Sequence, residues 1–160
     1  MEILHYPNQT LREKSLPVTV FDELLKTLSE HMFSLMYQYG GIGLAAIQIG
    51  IPRKIIVIDT TQGLEKSKQL TLINPVIVSS FSSVPSDEGC LSVPGMFGTV
   101  DRYACIEVDF QDLTGNKQKR ICSGIEAFVI QHEIDHLDGI LFIDKVNGEL
   151  EDYTKDIKFA

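Results

Sequence analysis

The stretch His132-Glu133-Ile134-Asp135-His136 decides how this chain is expected to fold and act. Two histidines four residues apart lie on one face of a helix, where they can share a metal ion, and the glutamate between them can act as a general base. Ser123 and Glu126, three residues apart, predict a capping box that opens this helix, and Gly139 predicts its end. The pattern therefore predicts a helix that carries a metal-dependent hydrolytic site.

Apolar residues at spacings of three and four precede the histidines on the predicted helix: Ile125, Phe128 and Val129. Both imidazoles continue this stripe, which is expected to face the core. A buried glutamate is costly unless a cation or a proton accompanies it, so Glu133 between two histidines indicates a site rather than ordinary packing.

Two histidines leave a metal site incomplete, and the third ligand distinguishes the classes of enzyme. A peptidase with an extended histidine signature needs a histidine three residues after Gly139, where this chain has Phe142. A zinc peptidase with a downstream carboxylate ligand stays open, with Asp156, Glu149 and Glu151 as candidates. A cysteine ligand also stays open.

Composition limits the classes of protein to which the chain can belong. Its 160 residues, 44% of them hydrophobic, can bury about two-thirds of the unfolded surface in one domain, residues 1–160. The odd set of three cysteines lacks paired spacing and favours a reducing compartment. No apolar run approaches the roughly 20 residues that span a bilayer. We expect a cytoplasmic protein, or an organelle matrix protein if a targeting segment was removed.

The order of predicted elements indicates an α+β fold, with small mixed or antiparallel sheets packed around the motif helix. Apolar residues at helical spacing predict a long N-terminal helix over residues 21–39, in which Met32 and Met36 fill the core. Residues 79–86, rich in serine, are predicted to form a loop. Strands are predicted over residues 54–60, 70–73, 76–80, 102–110 and 117–122.

Two further blocks have weaker signals of their own. Residues 41–48, GIGLAAIQ, carry glycines that let the backbone approach a ligand, although a tight turn explains them equally well. In Glu88-Gly89-Cys90-Leu91-Ser92, proline and glycine bound the segment and would hold the Cys90 sulfur in a fixed direction. A small buried apolar role is the alternative for Cys90.

Together these three blocks resemble, in order and spacing, the signature motifs of the peptide deformylases. Leu11-Arg12, residues 72–75 and residues 93–95 also look like that family, so the resemblance covers most of the chain. It implies removal of the formyl group from the N-terminal formylmethionine of nascent polypeptides, with release of formate.

The resemblance also implies the chemistry of the site. Three side chains are implied as ligands of one divalent metal ion: Cys90, His132 and His136. Fe(II) is the expected metal, and Zn(II), Ni(II) or Co(II) are expected to substitute. A metal-bound hydroxide would attack the formyl carbon, with Glu133 as general base and then as general acid toward the amine. The Gln48 amide and the Leu91 backbone N–H would hold the oxyanion.

A pocket for the methionine side chain is expected where the helix stripe and the glycine block converge. Its candidate lining residues are Ile42, Ile125, Phe128 and Val129, with the His132 ring. The peptide beyond methionine is expected to lie extended against the backbone near Ile42, Gly43 and Gly89, as an added strand. Ser86 and Phe97 stand where many family members carry an apolar residue and an arginine, which leaves the preference beyond methionine open.

Charge determines the expected partners. The net charge is −8, and the predicted polar tail, residues 149–160, holds four acids and two lysines. Like charges repel RNA, so neither direct nucleic-acid binding nor ribosome docking through the tail is expected. We expect a monomer that acts on formylated nascent peptides away from the membrane. Among the alternatives, a zinc endopeptidase would leave Cys90 free, and a non-catalytic formyl-peptide binder would lack Glu133.

Overall fold

A computed structural model describes residues 1–152 and confirms the α+β fold, with antiparallel strands around the motif helix. The helices are α1 (Glu23–Gln38) and α2 (Ile125–Leu137), with short 3-10 helices at Gln9–Arg12, Ala46–Ile49, Lys66–Lys68 and Phe142–Asp144. The strands are β1 (Gly43–Ala45), β2 (Ile55–Ile58), β3 (Leu70–Cys90), β4 (Val93–Gln111), β5 (Lys117–Ser123) and β6 (Val146–Asp152). Their order in the sheet is β1-β2-β3-β4-β5, and β6 pairs with β4.

Helix α1 forms where the apolar spacing predicts it. The Asp22 side chain caps its first turn by accepting a hydrogen bond of 3.1 Å from the Leu25 N–H. Met32 and Met36 are completely buried, which confirms their predicted place in the core. Gly40, with φ of 69°, follows the helix and turns the chain toward β1.

Strands β3 and β4 form one long hairpin, and the loop predicted over residues 79–86 is wrong. Ser83 pairs with Tyr103, and Ser86 pairs with Val100. Bulges interrupt this ladder but do not end it. Beyond Ile73, no second strand among residues 1–152 pairs with the other side of β3, so its serines and prolines lie on an edge strand. Pairing with β4 therefore outweighs the weak local β-propensity of the serines.

Helix α2 lies against the sheet and contributes Ala127, Val129 and Ile130 to the main core cluster. The predicted capping box at its start is wrong. β5 continues through Ser123, which pairs with Cys105, so Gly124 becomes the N-cap with φ of 64° and no side-chain cap. The predicted apolar stripe is also not buried over its whole length, because Ile125 is 62% exposed and Phe128 is half-buried.

The end of α2 is held by the N-terminal segment. Gly139, with φ of 73°, ends the helix as predicted. A Cβ at Gly139 would lie 2.4 Å from the Arg12 carbonyl oxygen, so only glycine permits this approach. The Arg12 guanidinium donates to the Gly139 carbonyl at 3.1 Å and pairs with Asp144. These contacts position the helix turn that carries His136.

Strand β6 includes the first four residues of the predicted polar tail. Val146 pairs with Val100, and Asp152 pairs with Met96. The remainder of that tail, residues 153–160, lies outside the described residues. Among residues 1–152, no helix has both the length and the apolar composition needed to cross a membrane.

Candidate metal centre and active site

Three potential metal ligands converge between the end of β3 and helix α2. Cys90 is the last residue of β3, and its pairing with Val93 across the hairpin turn directs it toward the helix. His132 and His136 lie one turn apart on α2. One ligand atom from each of the three residues lies within 4.8 Å of the others, and Cys90 Sγ is 3.4 Å from His136 Nε2.

The carboxylate alternatives for the third ligand are not brought to this point. Glu149 and Glu151 line a separate cavity of about 360 Å³, together with Asp87 and Phe97. Asp156 lies outside the described residues. Cysteine is therefore the third ligand type that this part of the fold offers to the two histidines.

The donor set fits one divalent metal ion. Thiolate and neutral imidazole suit iron, zinc, nickel and cobalt. His132 Nδ1 lies 2.9 Å from Glu88 Oε1, which leaves Nε2 as the ring nitrogen available to a metal. Burial lowers the pKa of His136 well below its usual value, so this ring is neutral and able to coordinate. Burial lowers the pKa of His132, but the hydrogen bonds that its ring makes to Cys90 and Glu88 outweigh burial and raise this pKa well above its usual value.

A buried ion-pair network lies behind His132. The Arg102 guanidinium, 3% exposed, donates to both Glu88 oxygens at 2.8 Å and to Asp135 Oδ2 at 2.7 Å. Lys145 Nζ, nearer the surface, contacts both Asp135 oxygens, Oδ1 at 3.2 Å and Oδ2 at 3.0 Å. Burial raises the pKa of Glu88, but the hydrogen bonds from Arg102 and His132 lower it to about 2. Glu88 is therefore an ionised acceptor that fixes the His132 ring.

Sequence reasoning did not assign roles to the members of this network. Glu88 lies inside a recognised block and Asp135 inside the helix motif, but neither received a function. One signal in the sequence could have identified Arg102. It lies at the start of a predicted strand, on the same face as the buried apolar residues of that strand. A charged residue on the core face of a strand requires a partner.

Glu133 faces the metal ligands from a buried position. It is 3% exposed, its Oε1 is 4.0 Å from His132 Nε2, and its Oε2 has no hydrogen-bond partner among the described residues. Burial raises its pKa to about 7. Gly43 makes room for it, since a Cβ there would lie 2.9 Å from Glu133 Oε1 and 2.6 Å from Val129 Cγ1.

The side chain of Gln48 lies beside the same centre. It is 1% exposed, and its Nε2 is 3.6 Å from Cys90 Sγ. The short 3-10 helix Ala46–Ile49 directs it inward from the end of β1. Leu91 lies next to Cys90 in the two-residue turn between β3 and β4. The glycine block and the cysteine block thus meet at the histidine helix.

The residues predicted to bind substrate lie at different depths in the fold. Val129, 9% exposed, belongs to the main core cluster, and half-buried Ile42 packs against that cluster. Phe128 is half-buried and Ile125 exposed at the start of α2. Gly89 is covered by an aromatic ring, because a Cβ there would lie 2.7 Å from Phe97 Cε1.

Comparison with known proteins identifies the family to which this arrangement belongs. The chain matches the model of the polypeptide deformylase family over residues 1–151. It is 47% identical over 144 residues to the peptide deformylase of Nitrosococcus oceani, which covers 90% of this chain and 85% of that protein. It is 38% identical to "Peptide deformylase 1B, chloroplastic/mitochondrial" of Arabidopsis thaliana, over 98% of this chain and 58% of that protein.

A solved structure agrees with these sequence matches. The crystal structure of the peptide deformylase from Plasmodium falciparum resembles this fold with a TM-score of 0.89 and 40% identity, covering 91% of this chain and 86% of that chain. The family match spans nearly all of the described residues, and the three signature blocks meet at one candidate metal centre. The chain belongs to the polypeptide deformylase family.

Proposed function

We propose that Cys90, His132 and His136 hold the single metal ion with which this enzyme works. As a peptide deformylase, the enzyme removes the N-formyl group from the N-terminal formylmethionine of nascent polypeptides and releases formate. The observation that carries the ligand assignment is the placement of one sulfur and two ring nitrogens within 4.8 Å of one another. A bound divalent cation supplies Lewis-acid activation of water and of the formyl oxygen.

We assign Fe(II) as the native metal, with Zn(II), Ni(II) and Co(II) as substitutes. A mixed set of one thiolate and two imidazoles is compatible with all four ions. The second nitrogen of His132 is held by Glu88, which increases the basicity of the ligating nitrogen. With these three residues as its protein ligands, a bound metal would keep a position for water or substrate, as a catalytic site requires.

Glu133 is the proposed general base and acid. Its burial raises its pKa to about 7, so it can both accept a proton from water and return it to the departing amine near neutral pH. Its Oε2 has no partner among residues 1–152, which leaves this oxygen available to a water or to the substrate. Gly43 permits the close packing that keeps Glu133 beside His132.

Gln48 and Leu91 are the proposed stabilisers of the oxyanion. The Gln48 amide nitrogen faces the Cys90 sulfur, and the Leu91 N–H belongs to the residue that follows Cys90. Both donors lie on rigid local structure, a 3-10 helix and a tight hairpin turn. Such preorganised donors stabilise the charge that develops on the formyl oxygen.

The proposed methionine pocket combines core and surface residues. Ile42 and Val129 form its inner wall, and Phe128 with exposed Ile125 forms its outer wall, alongside the His132 ring. An exposed isoleucine at the entrance suits a pocket that substrate covers. The peptide beyond methionine adds as a strand near Gly43 and Gly89. Along Gly89, this side of β3 has no strand partner among the described residues.

We also propose that residues 1–160 form one catalytic domain that acts as a monomer. The family match over residues 1–151 and the pairing of β6 with β4 support one domain. Lysines and an arginine on edge strand β5 oppose edge-to-edge association. Lys119 and Arg120 are paired with acidic neighbours, which disfavours nucleic-acid binding at this strand. The acidic residues of the segment 149–160 disfavour docking to the ribosome. We place the enzyme in the cytoplasm, or in an organelle matrix.

The ligand assignment is tested by cysteine replacement. We expect Cys90→Ser to lose both bound metal and formate release from formyl-Met peptides. Cys105→Ser is the matched control, because Cys105 is also half-buried and lies in β4 outside the cluster of ligand atoms. One equivalent of metal retained by Cys90→Ser, with unchanged turnover, would contradict the assignment and return a carboxylate ligand to consideration.

A further inference from the structure

The side chain of Gln48 is held at both ends of its amide. Its Oε1 accepts a hydrogen bond of 2.8 Å from the Ala45 backbone N–H. Its Nε2 donates to Ser92 Oγ at 3.0 Å. Because a backbone N–H can only donate, the first bond decides which end of the amide is the oxygen and which is the nitrogen.

Ser92 occupies a position that suits this contact. Its residue is completely buried, directly after the turn residue Leu91. The Nε2 of Gln48 carries two protons, and the Ser92 hydroxyl oxygen takes one of them. The other proton is directed toward the metal ligands, where Nε2 donates to Cys90 Sγ at 3.6 Å.

The N-terminal segment fixes the distance between the two residues. The Leu4 N–H donates to the Gln48 carbonyl at 2.7 Å, and the Tyr6 N–H donates to the Ser92 carbonyl at 2.8 Å. Two N–H groups of one short segment thus hold the main chains of Gln48 and Ser92 together. The hydrogen bond between the Gln48 and Ser92 side chains is therefore supported by backbone hydrogen bonds that require neither metal nor substrate.

We propose that Ser92 is a positioning residue for deformylation, which acts by orienting the second Gln48 N–H, the one beside Cys90 Sγ, toward the developing oxyanion. This inference rests on the proposed oxyanion role of Gln48. Without the hydroxyl, the amide keeps its bond to Ala45 but can rotate its nitrogen away from the metal ligands. Replacement of Ser92 should therefore lower kcat rather than raise KM, because the donor stabilises the charge of the transition state and not the bound peptide.

A double-mutant cycle measures this coupling. We expect Gln48→Ala to lower kcat by about 10²- to 10³-fold, the usual cost of one oxyanion donor. Ser92→Ala should lower kcat by about tenfold or more, with little change in KM or metal content. Added to Gln48→Ala, the Ser92 replacement should lower kcat no further, since it acts through the amide that has been removed.

Ser29→Ala is the matched control variant. Ser29 is 2% exposed, and its hydroxyl shares a 2.8 Å hydrogen bond with Thr71, between α1 and β3 and outside the described site. Its loss should reduce stability about as much as the loss of the Ser92 hydroxyl. We expect kcat of Ser29→Ala to equal that of the unmodified enzyme.

An NMR measurement on the unmodified Zn(II)-loaded enzyme tests the geometry without any variant. The Gln48 side-chain proton bonded to Ser92 should exchange with solvent much more slowly than those of Gln38, which is exposed. In Ser92→Ala, the Gln48 side-chain signals should broaden or shift while other backbone signals stay unchanged. Fast exchange of both Gln48 side-chain protons in the unmodified enzyme would overturn the inference even if Ser92→Ala did not fold.

The outcomes separate this inference from the proposed function. Unchanged kcat in Gln48→Ala would refute the oxyanion role of Gln48 and leave the metal ligands untouched. A large loss in Gln48→Ala with unchanged kcat in Ser92→Ala would refute the Ser92 inference alone. Equal losses from Ser92→Ala in the presence and absence of Gln48 would also refute it, because they would show an effect that bypasses the amide.

Discussion

Gly43→Ala is the perturbation that tests most directly how the backbone shapes this active site. The added methyl carbon would lie 2.6 Å from Val129 Cγ1, 2.9 Å from Glu133 Oε1 and 3.1 Å from Glu133 Cγ. Both neighbours are buried, with exposures of 9% for Val129 and 3% for Glu133. The methyl group therefore cannot be accommodated by a side chain moving into solvent.

The expected effect is larger on catalysis than on stability. Overpacking of this kind costs about 1–3 kcal/mol. For a domain of this length, that cost lowers Tm by about 2–4 °C per kcal/mol. A displacement of Glu133 by about 1 Å would reduce kcat about 10²-fold, because proton transfer requires close alignment with the attacking water. Formate release, metal content and thermal unfolding should be measured on the same preparation.

Gly98→Ala is the control for overpacking by itself. A Cβ at Gly98 would lie 2.7 Å from Val146 Cγ2 and 3.3 Å from Leu150 Cδ1, so its crowding involves two apolar side chains outside the described metal centre. We expect a similar loss of stability with kcat retained. Wild-type kcat in Gly43→Ala would refute the argument that this glycine exists to admit Glu133.

Three further variants test the candidate metal centre and the proposed methionine pocket. Glu133→Gln should keep the metal but lose nearly all formate release; near-normal turnover would show that another group is the base. Glu88→Gln should weaken metal affinity about 10- to 100-fold, as judged by competition with a chelator. Because the Glu88 pKa is lowered to about 2 from an ordinary 4.5, its stabilisation is present above 4.5 and lost as the pH falls toward 2. Acid unfolding of Glu88→Gln should therefore depend less on pH in that interval; an unchanged profile would exclude this contribution. Phe128→Ala should raise KM for formyl-Met peptides and reduce their advantage over formyl-Leu peptides, and equal selectivity in both enzymes would remove Phe128 from the pocket.

Local spacing made part of the site predictable. His132 and His136 share a helix face whatever surrounds the helix, because four residues span about one turn. Gly139 ends that helix through its own backbone freedom. Spacing alone left Cys90 either as a metal ligand or as a small buried apolar residue. The resemblance of three separate blocks to one family favoured the metal ligand. These inferences needed only residue identities and their order.

Structural features that depend on partners far along the chain could not be predicted from local patterns. Residues 79–86 become a strand because β4 pairs with them, and Gly124 becomes the N-cap because β5 extends through Ser123 to pair with Cys105. Arg102 reaches Glu88 and Asp135 across separations of 14 and 33 residues. Distant groups contribute no local periodicity, so only folding reveals which of them meet.

The same distinction between local pattern and distant contacts applies to the active site. Residue identities are enough to name the chemical groups of the site, which are a thiol, two imidazoles, a carboxylate and an amide, and helical spacing places two of them on one helix face. Only the fold decided that Glu133 is buried enough for its pKa to reach about 7, and that the Gln48 amide is held between Ala45 and Ser92. Burial and hydrogen-bond geometry depend on atoms from every surrounding element, and no short stretch of sequence contains them.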